Sequence, residues 1–145
     1  MYCLSLNNED YNKIKKLNYI PVGLGSNGFN KKWLRDNSGD NISKKNSFYG
    51  EYTFHYWFWK NKLIEISEDT WIGFCAYRRF WTNNSDLFKI KNRDDFLQKA
   101  QEDWNNYDVI LGQNIFMDGW SNMKILKHGL KSFILNPKFF LKKNR

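Results

Sequence analysis

Cysteine, proline and histidine are scarce in this chain, with two of each in 145 residues. Cys3, Cys75, His55 and His128 therefore cannot be arranged into a zinc-ligand spacing, and a disulfide-stapled secreted scaffold is excluded. Both cysteines sit in apolar, strand-like segments, where a free thiol behaves as a small core hydrophobe. A reducing, cytoplasmic location is the expectation. No apolar run reaches the roughly 18 residues that would suggest a membrane-spanning helix. Met1–Leu6 lacks the basic start and long apolar stretch of a secretory signal. Also missing are a P-loop, a Gly-x-Ser-x-Gly elbow and an H-E-x-x-H pair. There is no Asp-x-Asp to hold a metal-bound diphosphate, so no metal site is expected.

Acidic residues are the other deficit: 15 against 23 Lys and Arg, a net charge of +8. A basic, aromatic chain invites a single-stranded nucleic-acid reading, but the charge is spread along the whole chain. Lys, Asn, Ile and Phe share A/T-rich codons, so base composition accounts for part of the excess, and no specific nucleic acid is expected. Trp is the control, because its one codon is G-rich, and seven are present.

Apolar periodicity orders the chain as strand, helix, strand, long loop, helix, strand, helix, strand. Met1–Leu6 reads as the first strand, Asn7–Asp10 as a cap and Tyr11–Leu17 as a short helix. Tyr19–Leu24 reads as a second strand, placed at an edge or paired on one side at Pro21, which has no N–H to donate. Gly25–Ser47 is a polar loop long enough to suggest function. Tyr49–Asn61 predicts a helix capped by Asn46 or Ser47 and buried on several sides, with Tyr52, Tyr56 and Trp59 sharing one face. Thr70–Ala76 predicts a central parallel strand. Asn92–Asn105 predicts a helix with Phe96, Leu97, Ala100 and Trp104 in a stripe, and Tyr107–Leu111 a further strand. A loop over Gly112–Asn122 and a basic tail over 123–145, broken at Pro137, complete the chain. This alternation predicts one α/β domain over 1–145 with a mostly parallel sheet and flanking helices.

Gly23-Leu24-Gly25-Ser26-Asn27-Gly28 matches G-x-G-x-x-G after a strand, but no helix pattern opens at once. A glycine-rich turn accounts for it better than a dinucleotide fingerprint. Asp36-Asn-Ser-Gly-Asp40-Asn41 misses the EF-hand spacing. Its small polar side chains suit a ribose, a pyrophosphate or a sugar, and equally an ordinary surface turn. Tyr77-Arg78-Arg79 follows directly on a buried strand. Ligands of open α/β sheets bind outside the carboxyl ends of the strands, where two guanidiniums can clamp phosphate oxygens. The alternative leaves one arginine in solvent and pairs the other with an acid such as Glu51. If the strands are parallel, the long loop and the arginine pair open on one rim. His55, among aromatics, reads as a core histidine.

Three blocks then match a known pattern. Asp40-Asn41-Ile42-Ser43 with Lys45-Asn46, Tyr49-Gly50-Glu51-x-Thr53-x-x-Tyr56-Trp57-x-Trp59-Lys60-Asn61, and Ile72-Gly73-Phe74-Cys75-x-Tyr77-Arg78-Arg79-Phe80 together resemble a bacterial family of capsular and exopolysaccharide loci. Its members are described as glycosyltransferases or as a domain of unknown function. The resemblance covers essentially the whole chain. It implies a Rossmann-like sheet that binds a nucleotide-sugar donor, a UDP-sugar in the first instance. It also implies a donor site framed by Asp36, Asp40, Asn41, Ser43, Lys45, Asn46, Tyr49, Glu51, Thr53, Tyr77, Arg78 and Arg79, with Glu51 the candidate catalytic carboxylate.

Two departures stand out. Ala76 replaces the family's usual His, and the later portion of the family, expected to carry the acceptor site, has no counterpart here. The chain is thus expected to be the N-terminal donor-binding portion of a surface-polysaccharide glycosyltransferase, or else a truncated or accessory sugar-nucleotide binder. The expected partners are the nucleotide-sugar and a glycan acceptor, lipid-linked in one version. The basic tail would touch the inner face of the membrane, or equally serve as a linker to further sequence.

Overall fold

The computed structural model describes residues 1–82, 92–112 and the single positions Leu130 and Ile134. The chain divides into two compact units, Met1–Ile110 and Leu111–Arg145. The sheet belongs to the first. Of the second, Leu130 and Ile134 are helical and exposed. The rest of the expected basic tail, and most of the loop before it, lie outside the described residues.

The fold is α/β, with four parallel strands in the order β3-β2-β1-β4. The strands are β1 (Tyr2–Ser5), β2 (Ile20–Gly23), β3 (Leu34–Arg35) and β4 (Phe74–Ala76). In β1, Tyr2 and Leu4 point to one face and Cys3 to the other, the two-residue alternation of a strand covered on both sides. Leu4, Val22 and Leu24 pack on one face with Phe54, Trp57 and Phe58. Cys3 and Cys75 pack on the other with Ile14, Tyr19 and Trp33.

Helix α1 (Tyr11–Lys16) joins β1 to β2. Ile14 is its buried residue, while Lys13, Lys15 and Lys16 crowd its final turn, where cations suit the helix dipole. Asn7 caps the 3-10 turn leading into it by accepting from Glu9 N. The helix stops at Asn18, which adopts φ 60°. Asn18 N donates to Lys15 O and Tyr19 N to Ile14 O, the paired bonds of a left-handed C-terminal cap. Asn tolerates that conformation better than most residues. Tyr19 is thereby delivered into the core, 1% exposed.

The β2–β3 connection is too short for a crossover helix. Aromatic side chains cover the sheet there instead: Trp33 is buried, with Phe29 and Tyr11 set edge-on to its ring at 4.8 and 5.5 Å. Pro21 lies opposite Cys3 of β1, and β3 pairs β2 only at Val22 and Gly23. Pro21 is therefore paired on one side, which its missing N–H requires.

From β3 the chain passes through α2 (Asn46–Tyr49) and α3 (Tyr52–Asn61) before entering β4. The first two crossovers step one way across the sheet, and this third one reverses. With right-handed connections, the reversal sets α3 on the face opposite α1. Phe54, Trp57 and Phe58 of α3 are buried; each such side chain contributes roughly 1.5–3 kcal/mol when taken from water.

Several expected elements take another form. β4 lies at an edge of the sheet, not in its centre, and only Phe74–Ala76 of the expected strand is extended in the ladder. The helix expected over Tyr49–Asn61 is broken at Gly50, whose φ 54° and ψ −128° no other residue type adopts readily. Neither Asn46 nor Ser47 caps α3; Glu51 occupies that position. Nor is α3 buried on several sides: Tyr52 is 72% and Trp59 57% exposed on the face turned from the sheet. The helix expected over Asn92–Asn105 is two 3-10 turns, Arg93–Asp95 and Glu102–Asn106. Asn92 does cap the first, in a reciprocal box with Asp95. The chain then extends so that Leu97 N reaches Trp81 O and Phe96 bridges Thr82, and these tertiary bonds override the helical stripe. Tyr107–Leu111 pairs with no strand among the described residues. Tyr107, Val109 and Leu111 stand in solvent, so nothing pays for extending them.

Candidate functional site

Because all four strands are parallel, their carboxyl ends share one rim. Strand order reverses between β1 and β4, so the crevice of the sheet opens between their ends. Ser5 closes β1 and is 1% exposed. Its hydroxyl donates to Asp10 Oδ2 at 2.6 Å and accepts from Asn7 N at 2.9 Å, which makes the turn into α1 tight.

Across the crevice, Tyr77 N donates to Leu4 O, and Arg79 N returns to Ala76 O in a short turn. Arg78 stands at its tip with its guanidinium 4.8 Å over the Tyr77 ring. Arg78 and Arg79 are exposed, and neither has an ion-pair partner among the described residues. Glu51 makes no pair with them. Lys13 of α1 joins this side: its ammonium donates to Tyr77 O at 3.4 Å and lies 5.2 Å from the Phe80 ring centre. Three cations thus gather beside the strand reversal. Sequence patterning marked the arginines and missed Lys13, whose only signal was a lysine one turn into the helix that follows β1.

The second part of the rim lies at the ends of β2 and β3. Gly25 turns the chain with φ 66°, and a side chain there would come within 3.0 Å of Asn46 Cβ. Gly23-x-Gly25 therefore makes a turn against α2, and no helix opens after it. Asp36, fully buried, accepts from Gly25 N at 3.1 Å through Oδ1 and from Thr53 Oγ at 2.6 Å through Oδ2. Thr53 Oγ also accepts from Asn46 Nδ2, which in addition donates to Gly50 O. Arg35, another residue the sequence did not single out, donates from Nε to Gly23 O and from Nη2 to Gly25 O, and stacks 4.7 Å from the Phe29 ring centre. Asp36, Thr53, Asn46 and Arg35 are thus committed to holding the turn, and Asp36 presents no exposed atom to a ligand.

Asp40 and Asn41 are drawn away from this clasp. Trp57 Nε1 donates to Ser38 O, Tyr56 donates to Asp40 Oδ1, and Asp40 exchanges backbone bonds with the Asn61 amide. Thr53 and Asn61 are eight residues apart in α3, about 12 Å along its axis, so this turn is strapped down the helix. Asn41 accepts from both N and Oγ of the buried Ser43. Of the expected site residues before β4, Asp40, Lys45, Tyr49 and Glu51 are exposed; Glu51 lies one turn before His55, whose ring packs 4.6 Å from that of Phe74 in β4.

Among the described residues, no three of His, Cys, Asp and Glu gather as a metal site. Of the titratable groups, His55 is held below its ordinary pKa by burial, partly countered by Glu51. The Tyr56 phenol is raised by its bond to Asp40. Burial raises Tyr19, whose hydroxyl donates to Leu97 O at 2.7 Å. Cys3 is raised by its bond to Cys75 and by burial, so it is a poor nucleophile.

The family described as Domain of unknown function (DUF4422) matches residues 4–135, and the chain belongs to it. No curated protein and no solved structure matches the chain.

Proposed function

We propose that the chain binds a nucleotide-sugar at the carboxyl rim of its sheet, as the donor-binding portion of a glycosyltransferase of surface-polysaccharide biosynthesis. The observation that carries this reading is the exposed Arg78–Arg79 turn, without an ion pair among the described residues, beside the β1–β4 reversal, with Lys13 next to it. Cations there meet the oxygens of a diphosphate, and charge-assisted bonds of this kind are worth about 1.5–3 kcal/mol each. In sugar transfer the nucleoside diphosphate leaves with growing negative charge. Arg78, Arg79 and Lys13 would stabilise that charge where it develops. The Tyr77 ring, stacked on Arg78, would hold the guanidinium in place. Asp36 and Thr53 would act indirectly, by fixing the Gly25 turn as the wall of the crevice. Lys45, Tyr49 and Glu51 would reach the sugar from the second side. Transfer of labelled sugar from UDP-sugars to lipid extracts tests the activity: product formation that falls in Arg78→Ala supports it.

A second reading, a sugar-nucleotide binder without catalysis of its own, is favoured by one observation. Glu51 sits at the N-cap of α3, and no carboxylate among the described residues pairs with the arginines. Binding of UDP-sugar without turnover by the isolated chain would select this reading. The donor would be used on the cytoplasmic side of the membrane in either case.

A further inference from the structure

We propose that the outer face of α3 docks this protein onto an anionic lipid surface. At 3.6 residues per turn, Thr53, Phe54, Trp57 and Phe58 share the buried side of the helix. Tyr52, Tyr56 and Trp59, at i, i+4 and i+7, share the opposite side. A helix that only covers the sheet would carry polar residues there. Instead Tyr52 is 72% and Trp59 57% exposed, and the chain just before and just after the helix adds Phe48 at 87% and Ile64 at 91%. Isolated exposed apolar residues need no explanation, but these four large ones from Phe48 to Ile64, two of them on one face of α3, mark an interaction surface.

Charge selects the occupant. Lys44, Lys45 and Lys60 flank the face in sequence, against Glu51 and Asp40, which takes the Tyr56 hydroxyl at 3.0 Å; Lys62 and Glu65 pair with each other at 2.8 Å. The Lys60 ammonium lies 3.8 Å from the Trp59 ring centre and 5.9 Å from that of Tyr56, so cation and aromatics form one surface. Tyr56 and Trp59 stand edge-on at 5.9 Å. A second copy of the chain would bring lysines against lysines. A glycan would use the Trp and Tyr rings but not the Phe48 and Ile64 tips. A lipid interface uses all three components: apolar tips enter the acyl boundary, Tyr and Trp sit at headgroup level, and lysines meet lipid phosphates. The helix would then lie in the plane of the surface, with its inner side still packed on the sheet.

The experiment is co-sedimentation of the full chain with vesicles of phosphatidylcholine alone or mixed with phosphatidylglycerol. Variants are Tyr52→Ser with Trp59→Ser, and separately Lys60→Glu. These side chains are exposed, so the thermal midpoint should hold, and the charges of the C-terminal tail are untouched. The expected result is binding to the anionic vesicles only, weakened at least roughly tenfold in either variant. No binding by the unaltered chain, or equal binding by the variants, overturns the proposal. So would variants that abolish self-association or glycan binding while vesicle binding persists.

Discussion

Asp36 accepts a hydrogen bond from Thr53 at 2.6 Å across seventeen positions of sequence. The same carboxylate takes the N–H of Gly25, so one buried side chain joins the ends of β2 and β3 to the start of α3. Replacing it with alanine would leave the Gly25 N–H without a partner in a site closed to water, at about 1–3 kcal/mol, while the Thr53 hydroxyl keeps Gly50 O as an acceptor at 3.0 Å. Asp36→Ala is expected to lower stability by roughly 1–3 kcal/mol, read as a drop in urea midpoint with unchanged slope. Asp36→Asn should cost less, because its carbonyl oxygen still accepts. An Asp36→Ala chain as stable as the parent would remove the clasp from the account.

Tyr19 makes a comparable long-range bond. Its hydroxyl reaches Leu97 O from the buried end of α1, so Tyr19→Phe should cost about 1–2 kcal/mol. The loss should be local. Amide exchange is expected to speed up at Leu97, which donates to Trp81 O, before it does so in β1.

His55 gives a pH dependence with a definite sign. Burial beside Phe74, at 4.6 Å between ring centres, lowers its folded pKa. The unfolded chain takes up its proton near about pH 6.5. Above that value both states hold a neutral ring and the stability is whole. Below it the unfolded state binds the proton first, so stability falls as pH drops towards the folded pKa. Denaturation midpoints between about pH 8 and about pH 5.5 should therefore decline more steeply in the parent chain than in His55→Gln. Parallel declines would show that His55 is not the group concerned.

β1, β2 and β4 were legible in the sequence because they carry their own signals, whereas β3, two residues inside the expected loop Gly25–Ser47, carries none. MYCLSL and YIPVGL are short apolar runs, and the single N–H missing at Pro21 fixed how β2 could be paired. The parallel arrangement followed from alternation with helices. What the sequence concealed was decided by distant bonds. The stripe at Phe96, Leu97 and Trp104 suits a helix locally, but Trp81 and Tyr19 supply backbone partners that an extended Leu97 satisfies better. The inward and outward faces of α3 are equally aromatic, so periodicity could not tell which one the sheet would cover. At the rim, the arginine pair was marked by its place after a buried strand. The roles of Asp36, Asp40 and Thr53 were hidden, because a polar side chain that ties a loop looks the same in sequence as one that binds a ligand. Lys13 and Arg35 were passed over because each belongs to no motif and acquires its neighbours only when strands fold side by side.

The most direct test of the account is calorimetric titration of the chain with UDP and UDP-sugars, repeated on Arg78→Ala with Arg79→Ala. Both side chains are exposed and without an ion pair among the described residues, so the variant should fold with an unchanged midpoint. The account expects the parent to bind and the variant to lose affinity by roughly ten- to a hundredfold, the equivalent of one charge-assisted bond. Absence of binding in the parent at about millimolar ligand, some −4 kcal/mol, or undiminished binding in the variant, would contradict it.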